Sequence, residues 1–326
     1  MKRLTVTFLV AALTCAPVAC SKEPLPQPTA GPTPTGAVVS DDRLAAIMKT
    51  MEEEIATADA AKDAEQLKDR MTADALAART AGYALSVKTD GAHGAPVLGF
   101  TPQIITPAAT PNFPRQALVV SHAAEGQTSP MLLSLVQADA RSVYQVDHWV
   151  RLFPGVSVPA MPPATQGTAI AAPDADTFAV TPSDALAAYA TAIATPDDAA
   201  NVGDDPLRQG LKATSDALTQ ALEGVGTATW SAAVSETPPV TYTAADGSGI
   251  VVGTISAALT LDKTEPGAKL KLSDDLAALG GEDPIEKKAV ATYQLMVALH
   301  IPAAGGEATI TPLGGEQTLM SVARTE

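Results

Sequence analysis

The spacing of apolar residues changes character along the chain, and each change predicts an element. Ser40 followed by Asp41 and Asp42 forms a helix start, and Leu44, Ile47, Met48, Met51 and Ile55 then recur on one helical stripe. Ala64, Leu67, Met71 and Ala75 share one face of a predicted second helix. From Thr80 the period shortens. Segments near 80–88, 97–106, 116–122, 131–138 and 143–152 alternate or run apolar between Gly, Pro and Asn clusters, which predicts antiparallel strands.

The order then repeats. Residues 154–176 are rich in Pro and Ala with few periodic apolar positions, as a connection would be. Pro182-Ser183-Asp184 opens a third helix with Leu186, Tyr189, Ala190 and Ile193 as its stripe. Asp205-Pro206 opens a fourth, carrying Leu207, Leu211, Leu218 and Leu222. Strand-like segments follow at 226–236, 239–246, 249–261, 289–302 and 306–323, interrupted at 262–288 by a short helix, SDDLAALGG, capped by Ser273 and ended by Gly280. The caps Ser40 and Ser183 stand 143 residues apart, as do second-helix ends placed near Arg79 and Leu222. The expected fold is therefore α+β, two similar domains each with N-terminal helices packed on a curved antiparallel sheet. The expected divisions are a first domain at 39–160, a connection at 161–177 and a second domain at 178–326.

The amino end belongs to neither half. Lys2 and Arg3 precede a charge-free run from Leu4 to Thr14, which fits the n- and h-regions of a secretory signal and is too short to cross a bilayer. Val18-Ala19-Cys20 resembles the bacterial lipobox, with Pro17 where leucine usually stands. The resemblance implies a signal peptide at 1–19, acylation of Cys20 and attachment to the lipid bilayer at the outer face of the cell membrane. Residues 20–38, with five prolines between Pro24 and Pro34, are expected to form an extended leash. Two buried acyl chains hold a protein where one is marginal.

Composition sharpens this. The formal charge is −15, and removal of 1–19 takes Lys2 and Arg3 and no acid, leaving −17. Such a chain is unsuited to nucleic acid and is repelled by anionic head groups, so an acyl anchor and not charge would hold it. Cys15 leaves with the signal and Cys20 is acylated, so the body has no thiol and must rest on burial alone. Aromatic residues are 4% of the chain, so the cores are expected to be small aliphatics.

Two helices over a curved sheet resemble, in element order, the cone-shaped domains of the nuclear-transport-factor-like superfamily. The stretches DRMTADALAARTAGYAL (69–85), PMLLSLVQADARSVYQVDHWVRLFPGVSVP (130–159) and FAVTPSDALAAYATAI (178–193) resemble a group of uncharacterised lipoproteins of high-GC Gram-positive bacteria, which implies no established activity.

Candidate chemistry is sparse. His93, His122, His148 and His300 lack partners at zinc-ligand spacing, so no metal is expected. The acid pairs Asp41-Asp42, Asp204-Asp205 and Asp274-Asp275 fall at helix starts, where carboxylates suit the helix dipole, and the acidic loop 197–205 lacks the pattern of a calcium loop. Asp246-Gly247 predicts a turn, and Ser248 lacks the spacing of a nucleophile elbow. Trp149, Tyr144, Arg151 and Phe113 are the candidates for a recognition surface, with core burial as the alternative for Trp149 and for Trp230. No catalytic residue and no cofactor is implied. The expected function is a membrane-anchored, extracytoplasmic binding or scaffolding module with an unidentified envelope partner. The alternative is a carrier of a small apolar ligand or lipid, in a cone lined by residues such as Leu132, Leu135 or Leu295.

Overall fold

A computed structural model describes residues 36–325 except 197, 198, 200 and 273. The proposed signal peptide, Cys20 and most of the leash lie outside the described residues. The described chain is α+β. Helix α1 (Asp41–Ala61) starts as expected, with the Ser40 hydroxyl accepting from the Arg43 amide, and buries Leu44, Met48, Met51 and Ile55. The predicted second helix is split in two. Ala64–Leu67 is a single 3-10 turn, residues 68–70 continue as a turn, Met71 bridges to Val146, and α2 spans Ala73–Lys88. The segment 80–88, expected as a strand, is therefore helical, because Ala75, Ala78, Arg79 and Tyr83 continue one buried face at helical spacing.

Strands β1 (Pro102–Pro107), β2 (Arg115–Ser121), β3 (Met131–Gln137) and β4 (Gln145–Leu152) pair in sequence order as an antiparallel meander. β5 (Ile170–Ala171) follows, then α3 (Pro182–Ala194) and α4 (Pro206–Ala221). The remaining elements are β6 (Gly226–Val234), β7 (Val240–Thr243), β8 (Gly249–Lys263), α5 (Asp274–Gly280), β9 (Lys288–Ile301) and β10 (Thr311–Thr325).

The strands of both halves lie in one sheet, ordered β1-β2-β3-β4-β10-β9-β8-β7-β5, with β6 pairing the far half of β8. The residues expected as a free connection at 161–177 carry β5. It pairs with β7, and the Thr168 hydroxyl donates to the Thr243 carbonyl at 2.6 Å. The helix landmarks also lose their common offset. α3 is capped by Thr181, not Ser183, because the Thr181 hydroxyl accepts from the Asp184 amide, and α2 runs on to Lys88 while α4 ends at Ala221.

Alternation explains the layering. β2 and β3 are buried along both faces. The face carrying Ser134 and His148 meets the second half of the sheet, where Ser134 bonds the Tyr242 hydroxyl at 2.8 Å and His148 bonds Thr254 at 3.0 Å. The opposite face carries Val119, Leu133 and Trp149 and shares a core with α1 and α2. The outer face of β8 and β9, with Val251, Ile255, Leu295, Val297 and Leu299, packs on α3 and α4. Helix α5 closes a smaller core with Leu222, Leu259, Leu261 and Ile285.

The meander joins the rest of the sheet through two residue pairs, Leu152 with Gly314 and Arg151 with Gly315. A Cβ at position 314 would sit 2.5 Å from the Arg151 carbonyl oxygen, closer than non-bonded atoms approach. Gly314→Ala should push the two strands apart at their junction and destabilise the fold by about 1–3 kcal/mol. Urea unfolding of the variant against wild type measures this, and an unchanged midpoint would contradict it.

Candidate functional site

At Asp147 the β4 strand bulges, since Ser134 faces His148 while Leu135 faces Val146. A bulge re-aims side chains. It turns Asp147 to accept from the Thr72 hydroxyl at 2.9 Å and to bond His148 Nδ1 at 2.8 Å. On the edge of β4 away from β3, Val146 pairs with residues 70–72 while Arg151 and Leu152 pair with β10. Between them the edge is open, and α2 begins there. Gln294 of β9 donates to the Asp74 carbonyl at 2.9 Å, and one Asp74 carboxylate oxygen lies 3.7 Å from His148 Nε2. Burial works to raise the Asp147 carboxyl, but the His148 contact and the Thr72 hydrogen bond outweigh it and hold it below the usual range. The cluster is buried, and its polar groups chiefly satisfy one another. It is a structural junction.

A second group of charges lies around Arg151. Its guanidinium pairs with Glu316 at 3.2 Å, at the rim of a cleft of about 300 Å³ that also receives His93, Asp275 and Tyr293. His93 Nδ1 stands 3.5 Å from Asp275. Burial raises Glu316 above the usual carboxylate range against the opposing pull of Arg151, and burial beside Asp275 pushes the Tyr293 phenol up to about 12. Here each charge has an opposite beside it.

A third site is different. A cleft of about 500 Å³ opens between α1, the 70–72 segment and the ends of β2 to β4. Arg43, Arg70 and Arg115 line it with Tyr144, Val39 and Ile47. Arg43 and Ile47 follow one face of α1, so the stripe that packs the helix also aims the guanidinium. Arg70 is held bidentate by Glu54, with Nη2 to Oε1 at 3.0 Å, and that pairing lowers the Glu54 carboxyl. Arg115 has no carboxylate partner among the described residues. Its guanidinium carbon stands over the Phe113 ring, 4.3 Å from the centroid, and its buried Nε has no hydrogen-bond partner among these residues. Tyr144 is 4% exposed, and its hydroxyl is also unpartnered. Burial raises that phenol, partly offset by Arg115.

Of the four residues expected to form one recognition surface, Tyr144 lines this cleft and Phe113 supports it through Arg115. Arg151 belongs to the other cleft, and Trp149 has no exposed surface at all. Trp149 fails as a surface residue because it stands opposite Leu133 on the face that α1 and α2 cover. Trp230 is largely buried against Tyr293, with ring centroids 5.3 Å apart. Leu132, Leu135 and Leu295, the lining proposed for an apolar carrier cavity, are each fully buried among core residues. Asp246 to Gly249 forms the expected turn, in which the Ser248 hydroxyl bonds Asp246 at 2.6 Å. Among the described residues no group of three metal-binding side chains occurs, and no helix is long and apolar enough to cross a membrane.

Comparison with family models, with curated proteins and with solved structures finds no match. The three arginines of the cleft come from a chain with nine, 27 and 45 residues apart in sequence, and no motif announces them.

The Arg151 cleft makes a pH-dependent prediction. A carboxyl whose folded pKa is raised contributes stability below its unfolded pKa, about 4.3, and loses it as pH rises through the folded value. The stability of wild type minus that of Glu316→Gln should therefore fall as pH rises from about 4 to neutrality. Urea unfolding at a series of pH values tests the sign, and a difference that stays flat or grows would refute the assignment.

Proposed function

We propose that the chain is an extracytoplasmic binding module held at the outer face of the cell membrane by acylated Cys20, and that the arginine-lined cleft is its binding site. The observation that carries this reading is the cleft itself. In a chain of formal charge −15, three guanidinium groups share one cavity, and two of the three have no carboxylate partner among the described residues. Keeping like charges together costs free energy, and a buried donor left unpaired costs about 1–3 kcal/mol. Folds retain such arrangements where a ligand completes them.

The anchor reading rests on the sequence of residues 1–20 and is independent of the cleft. The two readings meet at Val38 and Val39, which line the cleft and stand where the Pro-rich leash ends. A tether ending there would keep the site within the leash's length of the bilayer, about 3.1 Å per residue where the chain is extended. The binding or scaffolding role does not require chemistry at the site, and the donors that line it suit recognition of charge.

Labelled palmitate should enter the wild-type protein in intact cells and should fail to enter Cys20→Ala, which should appear in the culture medium. Wild type that takes up no label and is released into the medium would overturn the anchor.

A further inference from the structure

We infer that the cleft takes a phosphate monoester with a small, partly apolar body, its phosphate held by Arg43, Arg115 and Tyr144. This deepens the binding-site reading and rests on it, but it does not depend on the anchor.

The charge count favours phosphate. Glu54 neutralises Arg70, which leaves Arg43 and Arg115 as the guanidinium groups of the cleft without a carboxylate partner among the described residues. A monoester phosphate carries a charge of about −1.5 to −2 at neutral pH and matches both, whereas a single carboxylate would leave one uncompensated.

The donors are also prepared. Arg115 is braced by the Phe113 ring, so its planar fork is oriented before anything binds. Its Nε and the Tyr144 hydroxyl are buried and have no hydrogen-bond partner among the described residues, and the second of these belongs to a side chain only 4% exposed. Both can donate to an anion, and a phosphate offers three terminal oxygens to receive them. Arg43 is exposed at the mouth and can close over a bound group from α1.

Size sets the rest of the ligand. A water takes up about 30 Å³ in the liquid, so inorganic phosphate would fill a small part of a cleft of about 500 Å³. Val39, Ile47 and Val143 supply apolar wall beside the arginines, and Val143 is 44% exposed. The complement is a head with a short apolar or hydroxylated body. A soluble phosphate ester and the head group of phosphatidic acid both present it.

The test uses the full chain carrying Cys20→Ser, so that no acyl group is attached. Its thermal midpoint is followed with glycerol 3-phosphate, with glycerol and with acetate. Sedimentation with phosphatidylcholine vesicles, with and without phosphatidic acid, forms the second arm. The expected result is a saturable upward shift with glycerol 3-phosphate and none with glycerol or acetate. Arg115→Ala should weaken that binding by about tenfold or more. Tyr144→Phe removes only an oxygen that has no protein partner, so it should weaken binding several-fold while leaving the unliganded midpoint unchanged or higher. Arg43→Ala, at an exposed position, provides the same reading should Arg115→Ala not fold. Binding confined to phosphatidic acid vesicles and abolished by these substitutions assigns the head-group source, and binding of the soluble ester assigns the other. Response to neither probe, equal response to acetate, or affinity unaltered by all three substitutions would overturn the inference. Palmitate labelling reads the anchor separately, so either result can fail alone.

Discussion

Two residue pairs, Arg151 with Gly315 and Leu152 with Gly314, are all of the strand ladder that joins β4 to β10, and at the other end of the meander Pro107 and Ala109 bond the backbone of Thr168 beside β5. Antiparallel strands approach within about 5 Å, and position 314 has no room for a side chain at that distance. So short a junction leaves β4 free to diverge from β10, and the divergence lets the meander lie across β7 to β9 instead of extending beside them. Both faces of β2 and β3 are thereby buried, one under helices and one under strands. A chain with few aromatic residues gains its core in this way, by covering Val, Leu and Ala on two sides. It does not rely on filling a single interior with large rings.

The same divergence exposes the edge of β4 between Val146 and Arg151, and unpaired backbone groups cannot be left buried there. The start of α2 fills the gap. Thr72 stands at the N-cap position but gives its hydroxyl to Asp147 and makes no side-chain cap to its own helix. That choice makes sense only in the tertiary context. The bulge at Asp147, the His148 bridge to Thr254 and the Gln294 bond to the Asp74 carbonyl tie the helix start to both parts of the sheet. A network of directed polar bonds specifies one arrangement where aliphatic packing alone would permit several. His148 has no visible partner along the chain because the groups around it are Asp74, Asp147 and Thr254, and only one of these is a neighbour in sequence.

Legibility in the sequence follows the range of the interaction. Helix α1, α3, α4 and the five strands after residue 225 were readable because their apolar periods and caps are local. Residues 80–88 were not, since Tyr83, Leu85 and Val87 alternate as a strand would while Ala75, Ala78 and Arg79 set the helical face that the core selects. The segment at 161–177 shows no period because only the two residues of β5 are in a strand, and Thr168 is held by bonds to Pro107, Ala109 and Thr243, all distant in sequence. The repeated order of helices and strands was real as a list of elements. It did not reveal that the strands of both halves lie in a common sheet, which depends on pairing between residues 162 and 164 apart. The recognition residues divided for the same reason. Strand alternation sends Trp149 under the helices and leaves Tyr144, before the strand begins, at the wall of a cleft.

The cleft also reverses the electrostatic character of the chain, and the reversal is local by construction. Long-range attraction of an anion is unfavourable for a chain of formal charge −15, and salt screens charges beyond about 8–10 Å. Capture must then come from contacts made inside the cavity, where burial strengthens each of them and screening is weak. A small ligand can enter that range. An extended anionic surface meets the acids of the whole body before it reaches the arginines. For the same reason an anionic bilayer would not draw the protein down by charge, and attachment through an acyl chain would leave the cleft beside the membrane without pressing the body onto it. Under the proposed arrangement the site would sample single phosphate-bearing molecules, soluble or lipid head groups, with no general attraction to an anionic surface, which is the behaviour that Arg43, Arg115 and Tyr144 at a confined wall are suited to produce.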